Sequence, residues 1–264
     1  MSIKSHLLKS RLVRNMINSR IAFRQYRNNK EIVTRLQELK DSHKGERCFI
    51  IGTGPSLTIQ DLEMLQGEVT FGTNRIYELF PRTVWRPTYY VNQDHELIKK
   101  YGDSIRTIDA ERIFLPVDYA QQFPGKKYSF FVLKYKEFFP HDAPFSTDIS
   151  RYLAQGFTVT YGAIQIAAYM GFTEMYLLGI DHNYNIFRDA HGQLIKSNSI
   201  RRNYPEGINE LKNQKNLPRV EETTVAYETA EKLSRKLGFR VYNSTRGGRL
   251  EAFERANLDM VIGG

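Results

Sequence analysis

Short apolar runs that end in a glycine or a small polar residue recur along the chain, and they constrain its fold more than any other feature. "CFII" runs into "GTGPS", "VTFG" into "TN", "TYYV" into "NQD", and "EMYLL" into "GID". Runs of four or five apolar residues bounded by turn signals read as buried strands. Between them lie helical stretches: "TIQDLEMLQG", closed by Gly67, a segment over His95–Tyr101, and the alanine-rich "GAIQIAAYMGF". Strands alternating with helices require crossover connections, hence an α/β fold with a mostly parallel sheet.

The spacing places strands at Arg47–Ile51, Val69–Gly72 and Thr88–Val91, with further strands in "ERIFLPV", "YSFFVLK", "EMYLLGID" and "FRVYN". The helix "EETTVAYETAEKLSRKLG" ends at Gly238, while the polar region from Asn183 to Arg219 has little periodicity. In open parallel sheets ligands bind beyond the carboxyl ends of the strands. Thr53, Ser56, Asn74, Asn92 and Asp181 all fall just past such ends, which one shared cleft explains better than separate turns.

In "IIGTGPSL", Gly52 and Gly54 allow a sharp turn and close approach to a ligand, and Thr53 and Ser56 offer hydroxyls. The helix that follows offers its first N–H groups to an anion. The alternative is a plain strand-to-helix turn with Ser56 as N-cap. The turn is neither GxxxxGK[ST] nor GxGxxG, since Leu57 stands where the last glycine belongs. Asn74 and Asn92 can donate and accept at once, which suits a nucleobase edge or ribose hydroxyls, though each alone also suits a turn. Asp181 suits sugar or ribose hydroxyls, or capping of the next segment. His182 and His191 lie near the same mouth as candidate bases. Arg246 and Arg249 flank two glycines in "STRGGRL", either as a diphosphate clamp or as a simple turn. Neither a Cys/His cluster nor a DxD signature is present, so no metal site is expected.

The net charge of +9 is concentrated at the start of the chain: eight Lys and Arg side chains, from Lys4 to Lys30, precede the first acidic residue, Glu31. Leu8, Leu12 and Met16, with Val13, Ile17 and Ile21, give that stretch an apolar face. This is an amphipathic extension, residues 1–45, ending near Gly45, ahead of a catalytic domain at 46–264. Its cationic face at residues 1–30 suits an anionic membrane surface, or packing on the domain or in a homo-oligomer. The basic and aromatic interleaving of a nucleic-acid groove is missing. No apolar stretch reaches the roughly 18 to 20 residues of a membrane span, and no signal peptide is evident. The lone cysteine, Cys48, lies in an apolar run and fits a reducing compartment. A cytoplasmic protein, peripheral to the inner membrane face, is the expectation.

"FIIGTGPSL", "TFGTNRIY", "YYVNQD" and "VTYGAIQIAAYMGFTEMYLLGID" together resemble the bacterial sialyltransferases that use CMP-activated sugars. They also resemble the broader set described as 6-hydroxymethylpterin diphosphokinase MptE-like, associated with surface-polysaccharide synthesis. The resemblance covers roughly Arg47 to Phe253. It implies a single modified GT-A or Rossmann-like domain that works without a divalent metal or other cofactor. It further implies phosphate contacts from Gly52, Thr53, Gly54 and Ser56, and nucleoside contacts from Asn74, Asn92, Thr160, Gly179 and Asp181. Tyr184 is the nearest match to the tyrosines that hold the leaving phosphate. Two positions depart from the sialyltransferases: Thr53 replaces an asparagine, and Glu221 falls where their histidine base stands. The implied partners are a nucleotide-sugar donor and a surface-glycan or lipid-linked saccharide acceptor. The rival functions are an ATP-dependent diphosphokinase and a non-catalytic nucleotide-binding module.

Overall fold

The computed structural model describes residues 29–196, 202–210 and 217–263. The basic, amphipathic stretch before Asn29 lies outside the described residues, with the membrane and oligomer expectations placed on it.

Eight strands form one sheet in which every pairing is parallel. In chain order they are β1 (Arg47–Ile51), β2 (Thr70–Thr73), β3 (Tyr89–Val91), β4 (Arg112–Pro116), β5 (Tyr128–Phe131), then β8 (Glu174–Leu178), β11 (Arg240–Asn243) and β12 (Glu254–Arg255). Two-residue strands β6 (Leu133–Lys134) and β7 (Leu153–Ala154) pair in a separate sheet. The hairpin β9 (Ile186–Arg188) and β10 (Leu194–Lys196) forms another, inside the polar region the sequence left without periodicity. Strands buried on both faces read as continuous apolar runs. In β1 and β8 four of five residues are buried, which is why both were legible.

The spatial order β12-β11-β8-β1-β2-β3-β4-β5 contains one reversal. From β1 the chain steps outward to β5, then returns to lay β8 on the other flank of β1. Connections therefore diverge between β1 and β8, leaving a crevice beyond their carboxyl ends where ligands bind in folds of this kind.

Helices cover the sheet. α1 (Lys30–Gln37) packs on β5, and α2 (Ile59–Met64) and α3 (His95–Arg106) follow β1 and β3. α4 (Val159–Met170) has eleven buried residues and lies over β1, β2 and β3, its alanines allowing close approach. α5 (Val220–Leu237) packs on α4 and β11, and α6 (Leu258–Gly263) ends the described chain.

Helix α1 stops at Gln37 rather than near Gly45. The N–H groups of Asp41, His43 and Gly45 instead reach the carbonyls of Tyr169, Met170 and Gly171, at 3.1, 2.8 and 3.0 Å. These are orphan carbonyls at the C-terminus of α4, and a turn satisfies them where a continued helix could not. Asp41 adopts φ 55° to make that turn, and Leu36 and Leu39 join the common core.

Candidate functional site

Beyond the last ladder bonds, the exits of β1 and β8 remain in contact. Gly52 N–H donates to the Leu178 carbonyl and Gly54 N–H to the Gly179 carbonyl, both at 2.8 Å. No side chain fits between them. A Cβ on Gly52 would lie 2.3 Å from Ile180 Cδ1, and one on Gly54 would lie 2.0 Å from Asp181 Oδ2. Gly179, at φ 63°, is in the left-handed region that glycine adopts readily.

Asp181 joins three loops. Its Oδ2 accepts from Ser56 Oγ at 2.7 Å and from Ser56 N–H at 3.3 Å. Its carbonyl accepts from Arg249 N–H at 2.7 Å, and Gly248, at φ 76°, lies so close that a Cβ there would come within 2.8 Å of that carbonyl oxygen. Ile180 N–H donates to Thr245 Oγ1 at 3.1 Å, tying in the loop after β11.

Most amides of the first turn are spent on this junction. Gly52, Gly54 and Ser56 point to the β8 exit, Leu57 N–H returns to the Gly54 carbonyl, and Pro55 has none. Among the described residues, Thr53 carries the one amide of the turn without an acceptor. The start of α2 is closed as well. Its N-cap is Thr58, not Ser56, and Thr58 and Asp61 form a reciprocal capping box. Asp61, almost fully buried, also receives both terminal nitrogens of Arg246, Nη1 at 2.7 Å. In that box Thr58 N–H donates to Asp61 Oδ2 at 2.9 Å and Asp61 N–H to Thr58 Oγ1 at 3.2 Å, so these two amides are spent within the turn, and the Arg246 charge is engaged by Asp61 too.

Asn92 is buried with both ends of its amide committed: Nδ2 donates to Tyr90 Oη at 3.0 Å, and Oδ1 accepts from Asp94 N–H at 2.9 Å. Tyr90 in turn donates to the Asn74 carbonyl. Asn74 stands at φ 50°, and its buried Oδ1 meets no donor. Thr160 is buried in the first turn of α4, and its N–H donates to Thr158 Oγ1 at 3.3 Å. Gln93, which sequence reasoning passed over, donates to Gln155 Oε1 at 3.1 Å and leaves its own Oε1 buried without a donor. The signal was available, since Gln93 directly follows Asn92 at a strand exit.

Of the three candidate bases, His182 stands apart from Glu221 and His191. His182 is buried, with Nε2 at 2.7 Å from Thr224 Oγ1 and its pKa pushed down to about 4 by burial. Glu221 is exposed at the start of α5, and its Oε2 accepts from Ala190 N–H at 2.6 Å. That bond brings Glu221 to the turn of the β9–β10 hairpin, where exposed His191 is the next residue. Tyr184 is partly buried within ring-contact distance of His182, and burial of its hydroxyl raises that group's pKa.

Glu222, also unforeseen, is fully buried and paired with Arg219, which lies 4.2 Å over the Phe157 ring. Helical spacing would have found it, because Glu222 shares a face with Ala226 and Ala230 whereas Glu221 does not. Among the described residues no three His, Cys, Asp or Glu side chains gather as a metal site requires, and no helix is long and apolar enough to cross a membrane.

The chain resembles the solved structure of the MAf glycosyltransferase from Magnetospirillum magneticum AMB-1, with a TM-score of 0.53 at 14% identity. The match covers 83% of this chain and 35% of the other, so the chain spans about a third of that protein and shares its fold over that part. No match is found among curated proteins. Residues 23–187, well over half of the chain, match the family described as 6-hydroxymethylpterin diphosphokinase MptE-like. The chain belongs to this MptE-like family.

Proposed function

We propose that the protein is a metal-independent glycosyltransferase. It takes a sugar from a nucleotide-activated donor, of the CMP-linked, sialic-acid-like kind, and gives it to a surface-glycan or lipid-linked saccharide acceptor. The observation that carries this reading is the crevice at the β1/β8 switch point, where Asp181 joins the loops after β1, β8 and β11. Three buried acceptor atoms without donors belong to residues just past strand ends, Asn74 Oδ1 after β2, Gln93 Oε1 after β3 and His182 Nδ1 after β8, and they suit a ligand rich in hydroxyl and amino groups. The fold shared with a glycosyltransferase agrees with it.

In the reaction an acceptor hydroxyl attacks the anomeric carbon of the donor. A carbon–oxygen bond forms, the bond to phosphate breaks, and the nucleoside phosphate leaves. Thr53, through its amide and hydroxyl, is the group of the first turn left to meet that phosphate. Glu221, exposed beside the hairpin, takes the acceptor proton, with His191 as the neighbouring group. Positioned proton transfer of this kind contributes about 10²- to 10⁴-fold. The basic segment at residues 1–30 would bring the enzyme to an anionic leaflet that carries lipid-linked acceptors. Loss of sedimentation with phosphatidylserine vesicles on reversing Arg11, Arg14 and Arg20 would support that role, and unchanged sedimentation would remove it.

The family description favours a second reading, diphosphate transfer from ATP to a small alcohol. Thermal stabilisation by CMP, UMP, GDP and ATP, each with and without Mg²⁺, separates the two. A pyrimidine nucleotide acting without metal supports the transferase; stabilisation by ATP with Mg²⁺ alone supports the diphosphokinase and rejects it. Turnover of a donor nucleotide excludes a purely binding role.

A further inference from the structure

His182 stands one residue beyond Asp181 in an arrangement that is costly in two ways. Its φ of 50° lies in the left-handed region, which a residue with a Cβ occupies only when its surroundings impose it. The residue is only 7% exposed, yet Nδ1 of its imidazole is buried and meets no hydrogen-bond partner. Buried nitrogen lone pairs are normally satisfied.

The bonds at the other ring nitrogen fix the tautomer. Nε2 lies 2.7 Å from Thr224 Oγ1, and the Thr224 hydroxyl donates to the Val220 carbonyl, 2.9 Å away, one turn back along α5. A hydroxyl that has given up its proton can only accept, so Nε2 carries the ring proton and Nδ1 is a bare lone pair. Burial keeps the ring neutral, with its pKa near 4, so the lone pair persists at neutral pH. Tyr184 and Tyr227 stand edge-on to the ring at 6.1 and 5.7 Å and fix its plane. A nitrogen this reluctant to take a proton is a poor general base but a good hydrogen-bond acceptor.

We propose that Nδ1 of His182 accepts a hydrogen bond from a hydroxyl or amino group of the ligand in the β1/β8 crevice. His182 is then a binding residue that selects a ligand bearing a donor at that place. The inference rests on the nucleotide reading above and adds which atom recognises the nucleotide. Reaching Nδ1 requires the covering side chains to shift, so the donor is an ordered ligand group rather than bulk water. Asn74 Oδ1 and Gln93 Oε1, unpartnered acceptors at the exits of β2 and β3, ask for the same chemistry.

Two substitutions divide the imidazole's functions. In His182→Asn the amide oxygen takes the place of Nδ1 and the reach to Thr224 is lost. In His182→Gln the amide reaches Thr224 but nothing replaces Nδ1. Titration calorimetry of the full chain with CMP, below the thermal midpoint of each ligand-free variant, reads the difference. The proposal expects His182→Asn to bind within about threefold of the parent and His182→Gln to lose about tenfold. The reverse order would assign His182 a structural role through Thr224 and overturn the proposal. With 2′-deoxy-CMP, disappearance of the Gln penalty places the donor on the ribose; disappearance with UMP places it on the base amine.

Nitrogen-15 spectra of the parent protein provide a second readout. Nδ1 should be unprotonated in the free protein, and its resonance should move upfield at CMP saturation. A protonated Nδ1, or one that does not move while CMP binds, removes this inference and leaves the nucleotide site standing. If CMP, UMP, GDP and ATP all fail to bind, the nucleotide reading falls and takes the inference with it.

Discussion

Ser56 donates its hydroxyl to Asp181 Oδ2 across 2.7 Å, joining the turn after β1 to the turn after β8 although 125 residues separate them. The bond crosses the one place where the sheet changes direction, so the two turns act as a single wall of the crevice. The glycines between them are there for closeness. Gly54 leaves no room for a methyl group, since a Cβ would overlap both Asp181 Oδ2 and the Gly179 carbonyl.

Gly54→Ala therefore has to push Asp181 or the β8 backbone aside. Overpacking of this kind costs typically about 1–3 kcal/mol, and here one neighbour is unyielding backbone. We expect a loss of about 2 kcal/mol in urea unfolding together with loss of nucleotide-induced stabilisation. Ser56→Ala, which removes the hydroxyl without overlap, should cost about 1 kcal/mol. A Gly54→Ala protein as stable as the parent would contradict the close approach.

Arg246 and Asp61 give a second contrast. Asp61 is buried and also caps α2, whereas the Arg246 side chain is more than half exposed. Asp61→Ala should cost about 2 kcal/mol, combining a lost cap with a lost charged partner. Arg246→Ala should cost no more than about 1 kcal/mol, because solvent screens the exposed guanidinium. With its charge engaged by Asp61, removing Arg246 should change CMP affinity less than twofold. A tenfold loss in calorimetry would restore the phosphate-clamp role.

Adjacent glutamates at the start of α5 should fail differently. Glu221 is exposed, so Glu221→Gln should leave stability within about 0.5 kcal/mol while lowering turnover by about 10²-fold or more. Glu222 is fully buried against Arg219, so Glu222→Ala leaves that guanidinium with the Phe157 ring and a long 3.9 Å contact to exposed Glu137. Breaking a buried pair costs about 3–5 kcal/mol. Because Arg219 is partly exposed, we expect about 2 kcal/mol. Normal turnover in Glu221→Gln, measured beside urea unfolding of both variants, would reject Glu221 as the base.

The sheet was legible because buried parallel strands leave continuous apolar runs, and the five polar residues at four strand exits could be read from those runs. What the sequence hid is non-local or locally patternless. The β9–β10 hairpin is exposed at most of its positions, so neither alternation nor an apolar run marks it. The Arg246 partner lies 185 residues away, and only the folded chain shows that Asp61 reaches it. The glycines of "GTG" suggested space for a phosphate, whereas much of that space holds the β8 exit. Glu222 was missed for a different reason: position in an ungapped comparison pointed to Glu221, while the periodicity of α5 pointed inward one residue later.

His182 carries the pH dependence. Its folded pKa of about 4 lies below the ordinary value of 6.5 because burial disfavours the imidazolium. Above pH 6.5 the ring is neutral in both states, and the contribution to folding is constant. As pH falls from 6.5 toward 4, the unfolded chain takes up the proton first, so stability declines by about 1.4 kcal/mol per pH unit. Across the window that approaches about 3 kcal/mol. Below pH 4 the folded state protonates too and this loss stops growing. Carboxylates titrate in the same range, so the measurement is a difference: urea unfolding of the parent and of His182→Gln at pH 7, 5.5 and 4.5. The parent should lose about 2 kcal/mol more than the variant between pH 7 and 4.5. Parallel pH profiles would mean that His182 is not held neutral in the folded protein.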